Sequence, residues 1–284
     1  MRRHIHSTFG TIMVLAILFL ESGLFAQGSL MVNPKRIMLD DKKRSDVLTL
    51  YNNGDDTSSY SISFKHYEMK PDGSFKDVDT AKTAVLFCDS IVRYFPFEVT
   101  LAPHESQTVK IRFLKPKDLA LGEYRSHLYF HPIERAKALE AQARDTAQKT
   151  VTLELHAIFG LAVPIIVRNQ TTPAKVSMDN LKLSPLDTGG KVTLSAEIHR
   201  SGDESCYGSL LVKYKDKDGK ETELSTVKGI AVYVPLLMRK VELRFAPPAN
   251  MLTNGGSIKL EFQSLTDNPK ETTLGSAELP LKKG

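Results

Sequence analysis

Short runs in which apolar and polar residues alternate recur along most of this chain. Residues 47–51, 61–64, 97–101, 108–113, 127–130, 192–198 and 210–214 are drawn mainly from Val, Ile, Leu, Thr, Tyr and Phe. Side chains of this kind pack well on a pleated surface, so each run predicts a β-strand. Turn chemistry separates them: Asn52-Asn53-Gly54-Asp55, Pro71-Asp72-Gly73, Ala102-Pro103-His104, Asp187-Thr188-Gly189-Gly190 and Asp218-Gly219. Strands this close, with no helical segments between them, predict an all-β chain of antiparallel sandwiches and not βαβ units. Only residues 134–147 have helix-forming composition, and they are polar or Ala on every face, which reads as a long charged loop. An apolar run stops abruptly at Asn169-Gln170-Thr171-Thr172-Pro173. That break predicts a domain boundary, with one module over 27–168 and a second over 169–284.

The longest alternating stretch is 151–168. Its odd positions are Val151, Leu153, Leu155, Ala157, Phe159, Leu161, Val163, Ile165 and Val167, and every one is apolar. Period-two alternation puts them on one face of an extended chain. Seventeen residues at about 3.3 Å each run roughly 55 Å, far beyond an ordinary strand. Two readings follow. A bent strand, or two strands, buries the whole stripe at home; alternatively part of it stays open, and an uncovered apolar edge templates pairing with another chain.

The first residues change where such a partner would be met. Arg2 and Arg3 precede an uncharged apolar run over 7–20, and Leu24-Phe25-Ala26 offers small-residue cleavage chemistry before Gln27. This is a secretory signal layout over 1–26, too short for a comfortable membrane span, so the mature chain is expected to be exported and to carry no spanning segment. The net charge of +5 comes from 38 Lys and Arg mixed with 33 Asp and Glu, which does not mark a nucleic-acid binder. Two cysteines, Cys88 and Cys206, fall in different modules and read as separate buried thiols.

Enzyme chemistry finds no foothold. The sequence has no phosphate-cradling glycine loop, nucleophile-elbow serine or zinc-binding His-Glu-x-x-His helix, so no catalytic residue, metal or cofactor is assigned. His127 and His131 lie four apart on a strand, roughly 13 Å from each other, and read as solvated histidines. Asp216-Lys217-Asp218-Gly219 lacks the remaining ligands of a calcium loop and reads as a hairpin turn. Asn169-Gln170-Thr171 matches a glycosylation triplet that a bacterial chain would leave idle.

A family resemblance rests on several segments in order. Asn33-Pro34-Lys35-Arg36-Ile37-Met38-Leu39, then Arg44-Ser45-Asp46-Val47-Leu48-Thr49-Leu50-Tyr51-Asn52-Asn53-Gly54, resembles the opening strands of periplasmic pilus-assembly chaperones of the chaperone-usher pathway. Phe95-Pro96-Phe97-Glu98-Val99-Thr100-Leu101-Ala102-Pro103, Gly122-Glu123-Tyr124-Arg125-Ser126-His127-Leu128 and Ala162-Val163-Pro164-Ile165-Ile166-Val167-Arg168 continue the likeness. Arg200-Ser201-Gly202 and Gly229-Ile230-Ala231-Val232-Tyr233 extend it more loosely into the second module.

The resemblance implies two immunoglobulin-like sandwiches in a boomerang arrangement, working in the periplasm without ATP. The partners it implies are fimbrial or pilin subunits, capped by a donated β-strand, and an outer-membrane usher that receives them. Aligned on Arg168, the donated positions are Leu153, Leu155, Ala157 and Phe159, with Val151 as an extension. It also implies a cleft cation on the first strand, matched by Arg36, that grips the subunit's terminal carboxylate. The family's second cation aligns with Pro164, which leaves Arg168 as a weak substitute, and Arg125 stands where an acidic partner is expected, putting the interdomain ion network in doubt. Self-association of the free protein would hide the stripe. The competing reading is a structural or adhesive two-sandwich exported protein whose stripe is internal core.

Overall fold

The computed structural model describes residues 30–78, 83–133, 160–248, 251–265 and 272–281. The leader over 1–26, the charged stretch over 134–147, and Val151, Leu153, Leu155, Ala157 and Phe159 all lie outside the described residues.

The described chain is built almost wholly of strands. In order they are β1 (Leu30–Asn33), β2 (Ile37–Leu39), β3 (Ser45–Asn52), β4 (Ser58–Lys65), β5 (Tyr67–Met69), β6 (Phe75–Asp77), β7 (Val92–Phe95), β8 (Glu98–Leu101), β9 (Ser106–Phe113), β10 (Gly122–Pro132) and β11 (Leu161–Asn169). There follow β12 (Lys175–Leu183), β13 (Val192–Ser201), β14 (Cys206–Lys215), β15 (Glu221–Val232), β16 (Met238–Phe245), one helical turn α1 (Met251–Asn254), β17 (Gly256–Ser264) and β18 (Thr273–Leu281).

Up to Asn169 these strands form a sheet of order β1-β3-β9-β7 facing one of order β2-β11-β10-β4-β8. The first segment serves both sheets: β1 pairs with β3, and after Pro34, which has no N–H to continue a ladder, β2 pairs with β11. From Lys175 the order is β12-β13-β16 against β15-β14-β17-β18. Both are immunoglobulin-like sandwiches in their strand order.

Alternation explains each core. In β9, Val109, Ile111 and Phe113 are buried while Thr108, Lys110 and Arg112 are exposed; β13 repeats the pattern with Val192, Leu194, Ala196 and Ile198. Leu48, Leu50, Leu101, Leu128 and Phe130 complete the first core, and Leu210, Val212, Leu260 and Phe262 the second. A third, smaller cluster of Met69, Ile166, Ala231 and Tyr233 joins the two sandwiches.

Two expectations meet definite outcomes here. Cys88 and Cys206 are free, buried thiols. His127 is not solvated: it is 5% exposed, because the β5–β6 hairpin lays Tyr67 and Phe75 edge-on against its ring. His131, on the same strand, is exposed.

Candidate functional site at the junction of the two sandwiches

β11 leaves one side open. Along its whole length it pairs with β10, from Leu161 opposite Phe130 to Asn169 opposite Gly122. On its other side the three-residue β2 reaches only Ile165, Ile166 and Val167. Among the described residues, Leu161, Ala162, Val163 and Pro164 therefore have no strand on that margin. The side chains tell a second story. Val163, Ile165 and Val167 belong to the first core, so this half of the odd-numbered stripe is spent at home, and exposure begins at Leu161 and Ala162.

The even-numbered side chains of β11 turn to the junction. Ile166 enters the joining cluster, and Arg168 is tied on every nitrogen. Its Nε donates to Glu123 Oε2 at 3.1 Å, its Nη1 pairs with Glu204 Oε2 at 2.7 Å, and its Nη2 donates to the Ser205 carbonyl at 3.0 Å. Glu123 in turn accepts from the Ser205 backbone N–H at 2.9 Å and, through a short contact, from the Ser205 hydroxyl. The interdomain ion network, doubted from the sequence because of Arg125, thus exists with Glu123 as its carboxylate. The β10–β11 register sets Glu123 directly opposite Arg168, which the one-dimensional alignment of Arg125 could not show.

Arg36 and Arg125 are two further cations at the junction. The Arg36 guanidinium lies 4.1 Å over the Tyr207 ring, touches Met38 Sδ at 3.4 Å, and keeps Nε buried without a partner among the described residues. Arg125 lies 4.2 Å over the Tyr233 ring and donates Nη2 to the Tyr67 carbonyl at 3.1 Å. Its Nε and Nη1 are buried with no partner among the described residues. Burial lowers the Arg125 pKa, offset by Tyr233 and Glu123; burial also raises that of Tyr233, which Arg36 and Arg125 pull back. Stacking on aromatic faces keeps such cations favourable where water is scarce.

Two hollows flank this junction. One of about 830 Å³ is lined by Pro34, Arg36, Asp40, Arg168, Glu204 and Tyr207 among others; a smaller one of about 320 Å³ is lined by Tyr67, Phe75, His127, Ala162, Pro164 and Tyr233. The β5–β6 hairpin closes over the smaller hollow and donates its turn to the second sandwich, where Lys240 N–H bonds the Pro71 carbonyl at 2.7 Å. Gly73 permits that approach. It sits at φ +82, and a Cβ there would run into the Arg239 guanidinium.

The structure thus brings Arg36 and Arg168 to one hollow, with Arg168's donors engaged. Sequence reasoning missed Glu123 and Tyr233 as junction residues, although both lie in segments that carried the resemblance. The signal that identifies them is strand register, which pairs residues far apart in the chain.

No protein-family model matches the chain, and no curated protein sequence does. Among solved structures it is similar to the YadV chaperone at 13% identity, over 89% of this chain and 100% of that one, with a TM-score of 0.45. It is similar to the E. coli chaperone DraB at 12% identity, over 90% of this chain and 97% of that one, with a TM-score of 0.43. The same coverage and TM-score, at 13% identity, hold for a Salmonella enterica structure of the SafA pilin in complex with the SafB chaperone. Likeness of this degree assigns no role to any residue here.

Proposed function

We propose that this chain is a periplasmic, ATP-independent chaperone that captures subunits of a surface fibre by lending them a β-strand and passes them to an outer-membrane usher. The open margin of β11 over Leu161, Ala162, Val163 and Pro164 is the observation that carries this reading. A strand with one free edge offers unpaired backbone groups to an incoming chain. The alternating residues immediately before it supply apolar side chains in the same register: Val151, Leu153, Leu155, Ala157 and Phe159. Each one moved from water into a groove contributes roughly 1.5–3 kcal/mol before ordering costs. A one-residue slip would present Glu154 and His156 instead, so register is discriminated.

The subunit's terminal carboxylate is received by Arg36, a cation already oriented by Tyr207, with a buried Nε that has no partner among the described residues. Arg125, stacked on Tyr233, supports it with two nitrogens that have no partner among the described residues. Arg168 contributes by holding the two sandwiches at a fixed angle through Glu123 and Glu204, its own donors being occupied. No hydrolysis is needed for release, because a neighbouring subunit's strand can displace the chaperone's by fitting the groove better.

The test is co-expression with a fibre subunit lacking its final strand, followed by affinity capture on the chaperone. The wild-type chain retains the subunit, and Leu155→Ser/Phe159→Ser loses it while keeping its thermal unfolding midpoint. Equal retention by both overturns the reading. A structural or adhesive role gains from one observation, the burial of Val163, Ile165 and Val167 in their own core. It predicts slow amide exchange throughout 151–159, where strand lending predicts fast exchange in the free protein.

A further inference from the structure

The sheet β1-β3-β9-β7 turns one face away from its partner sheet, and that face has an unusual charge pattern. None of the outward-facing residues on its described strands is Asp or Glu. In one row across the sheet, Arg112 of β9 stands directly opposite Arg93 of β7. In the next row, Lys110 lies between Val47 and Phe95. Like charges set directly opposite on a sheet destabilise it. Arg93 eases the conflict by curling its Nη1 onto the carbonyls of Asp89, Ser90 and Val92, whereas Lys110 and Arg112 have no ion pair among the described residues.

Large apolar side chains share this face: Val47 and Phe95 flank Lys110, and Met31 lies on the outer strand β1 opposite Tyr51. Phe95 is 68%, Met31 56% and Val47 48% exposed. The hollow at one end, about 370 Å³, is lined by Arg44, Arg112 and Lys115, with Phe113, Leu114 and Pro116. Asp41 engages Arg44 and Lys115 there, and Arg112 remains uncompensated.

We infer that this face docks on an anionic phospholipid surface. Headgroup phosphates relieve the Arg93–Arg112 repulsion and neutralise Lys110, while Phe95, Val47 and Met31 enter the boundary between headgroups and acyl chains. A face that carries cations and exposed aromatic and aliphatic side chains, and no outward-facing carboxylate on its described strands, suits an anionic, amphipathic partner. This inference is independent of subunit capture, since it uses the opposite sheet from β11.

The mature chain is sedimented with vesicles of phosphatidylcholine alone and of phosphatidylcholine with about one-third phosphatidylglycerol at low salt. Binding to the anionic vesicles only, reversed by ~0.5 M salt, is expected. Lys110→Gln/Arg112→Gln lowers the partition coefficient roughly 25-fold, about fivefold for each charge removed. Lys217→Gln/Lys220→Gln, in the turn between β14 and β15, leaves it within about twofold. Because the chain has no Trp, Phe95→Trp provides a single emission reporter, expected to shift to the blue on anionic vesicles. Circular dichroism and thermal unfolding confirm that each variant is folded. Absence of vesicle binding, equal losses in the two charge pairs, or no spectral shift overturns the inference. So does binding of soluble polyglutamate without binding of vesicles, which would give the face to an acidic polypeptide.

Discussion

Glu123 and Arg168 face each other across the β10–β11 ladder at 3.1 Å, and together they grip Ser205 of the second sandwich. The Glu123 side chain is 1% exposed and that of Arg168 24%, so the pair is closer to a buried than a surface bridge. Removing Glu123 leaves Arg168 paired with Glu204 but takes away one charge-assisted bond, and it leaves the buried Ser205 N–H and hydroxyl without their acceptor. Glu123→Ala is expected to cost about 2–4 kcal/mol, discounted from the fully buried case because Arg168 retains some water. Urea unfolding measures this. The variant is also expected to resolve two transitions where the wild type shows one, since the lost contacts are those between the sandwiches. A single transition with an unchanged midpoint would contradict it.

His127 makes stability fall in mild acid. Burial, with Arg125 and His66 nearby, pushes its pKa down from the ordinary 6.5 to about 3. The unfolded chain therefore binds a proton between pH 6.5 and about 3 that the folded chain refuses, and stability rises with pH through that window. It is fully present above 6.5 and erodes below it, approaching 1.4 kcal/mol per pH unit at the steepest. His127→Gln should flatten the dependence between pH 7 and pH 5, where few carboxylates titrate. Unfolding free energies of both proteins at the two pH values decide it: parallel declines would place the effect elsewhere.

Much of this fold could be read from alternation, and the failures have physical causes. β9 and β13 bury one face and wet the other, so their period-two pattern is clean. β15 escaped because it is an edge strand with mostly polar residues from Glu221 to Lys228, and little of it is buried. The stripe over 151–167 looks uniform in one dimension, yet Val163, Ile165 and Val167 are core; alternation identifies a face without saying what covers it. His127 was misjudged for the same reason, since the hairpin that covers it begins sixty residues earlier at Tyr67. Glu123 became recognisable as Arg168's partner only through strand register.

The buried thiols should be inert until the chain opens. Cys88 is fully buried, donates weakly to the Ile165 carbonyl at 3.4 Å, and has its pKa pushed up to about 12 by burial. Burial raises that of Cys206 as well. Only the thiolate reacts quickly with disulfide reagents. An aromatic disulfide reagent at pH 8 is expected to label neither cysteine in the native protein and both in guanidinium chloride. Rapid labelling of the native chain would show that the core opens locally at the segment before β7, which holds Cys88, or at β14, which holds Cys206.

Arg125 separates folding from function most sharply. A buried guanidinium with two nitrogens unpartnered among the described residues costs desolvation that one hydrogen bond to Tyr67 and a stack on Tyr233 only partly offset. Replacing buried charge with an apolar side chain of similar volume is often neutral or stabilising. Arg125→Met should therefore leave the free protein as stable or raise it by about 1 kcal/mol, by urea unfolding. If the two nitrogens wait for a subunit carboxylate, the same variant weakens capture at least tenfold, because a charge-assisted hydrogen bond is lost at a desolvated site. Arg36→Met should weaken capture similarly, and amidating the subunit's C-terminus should abolish the difference between wild type and both variants. Loss of stability without loss of capture would make Arg125 a strut between sandwiches and nothing more.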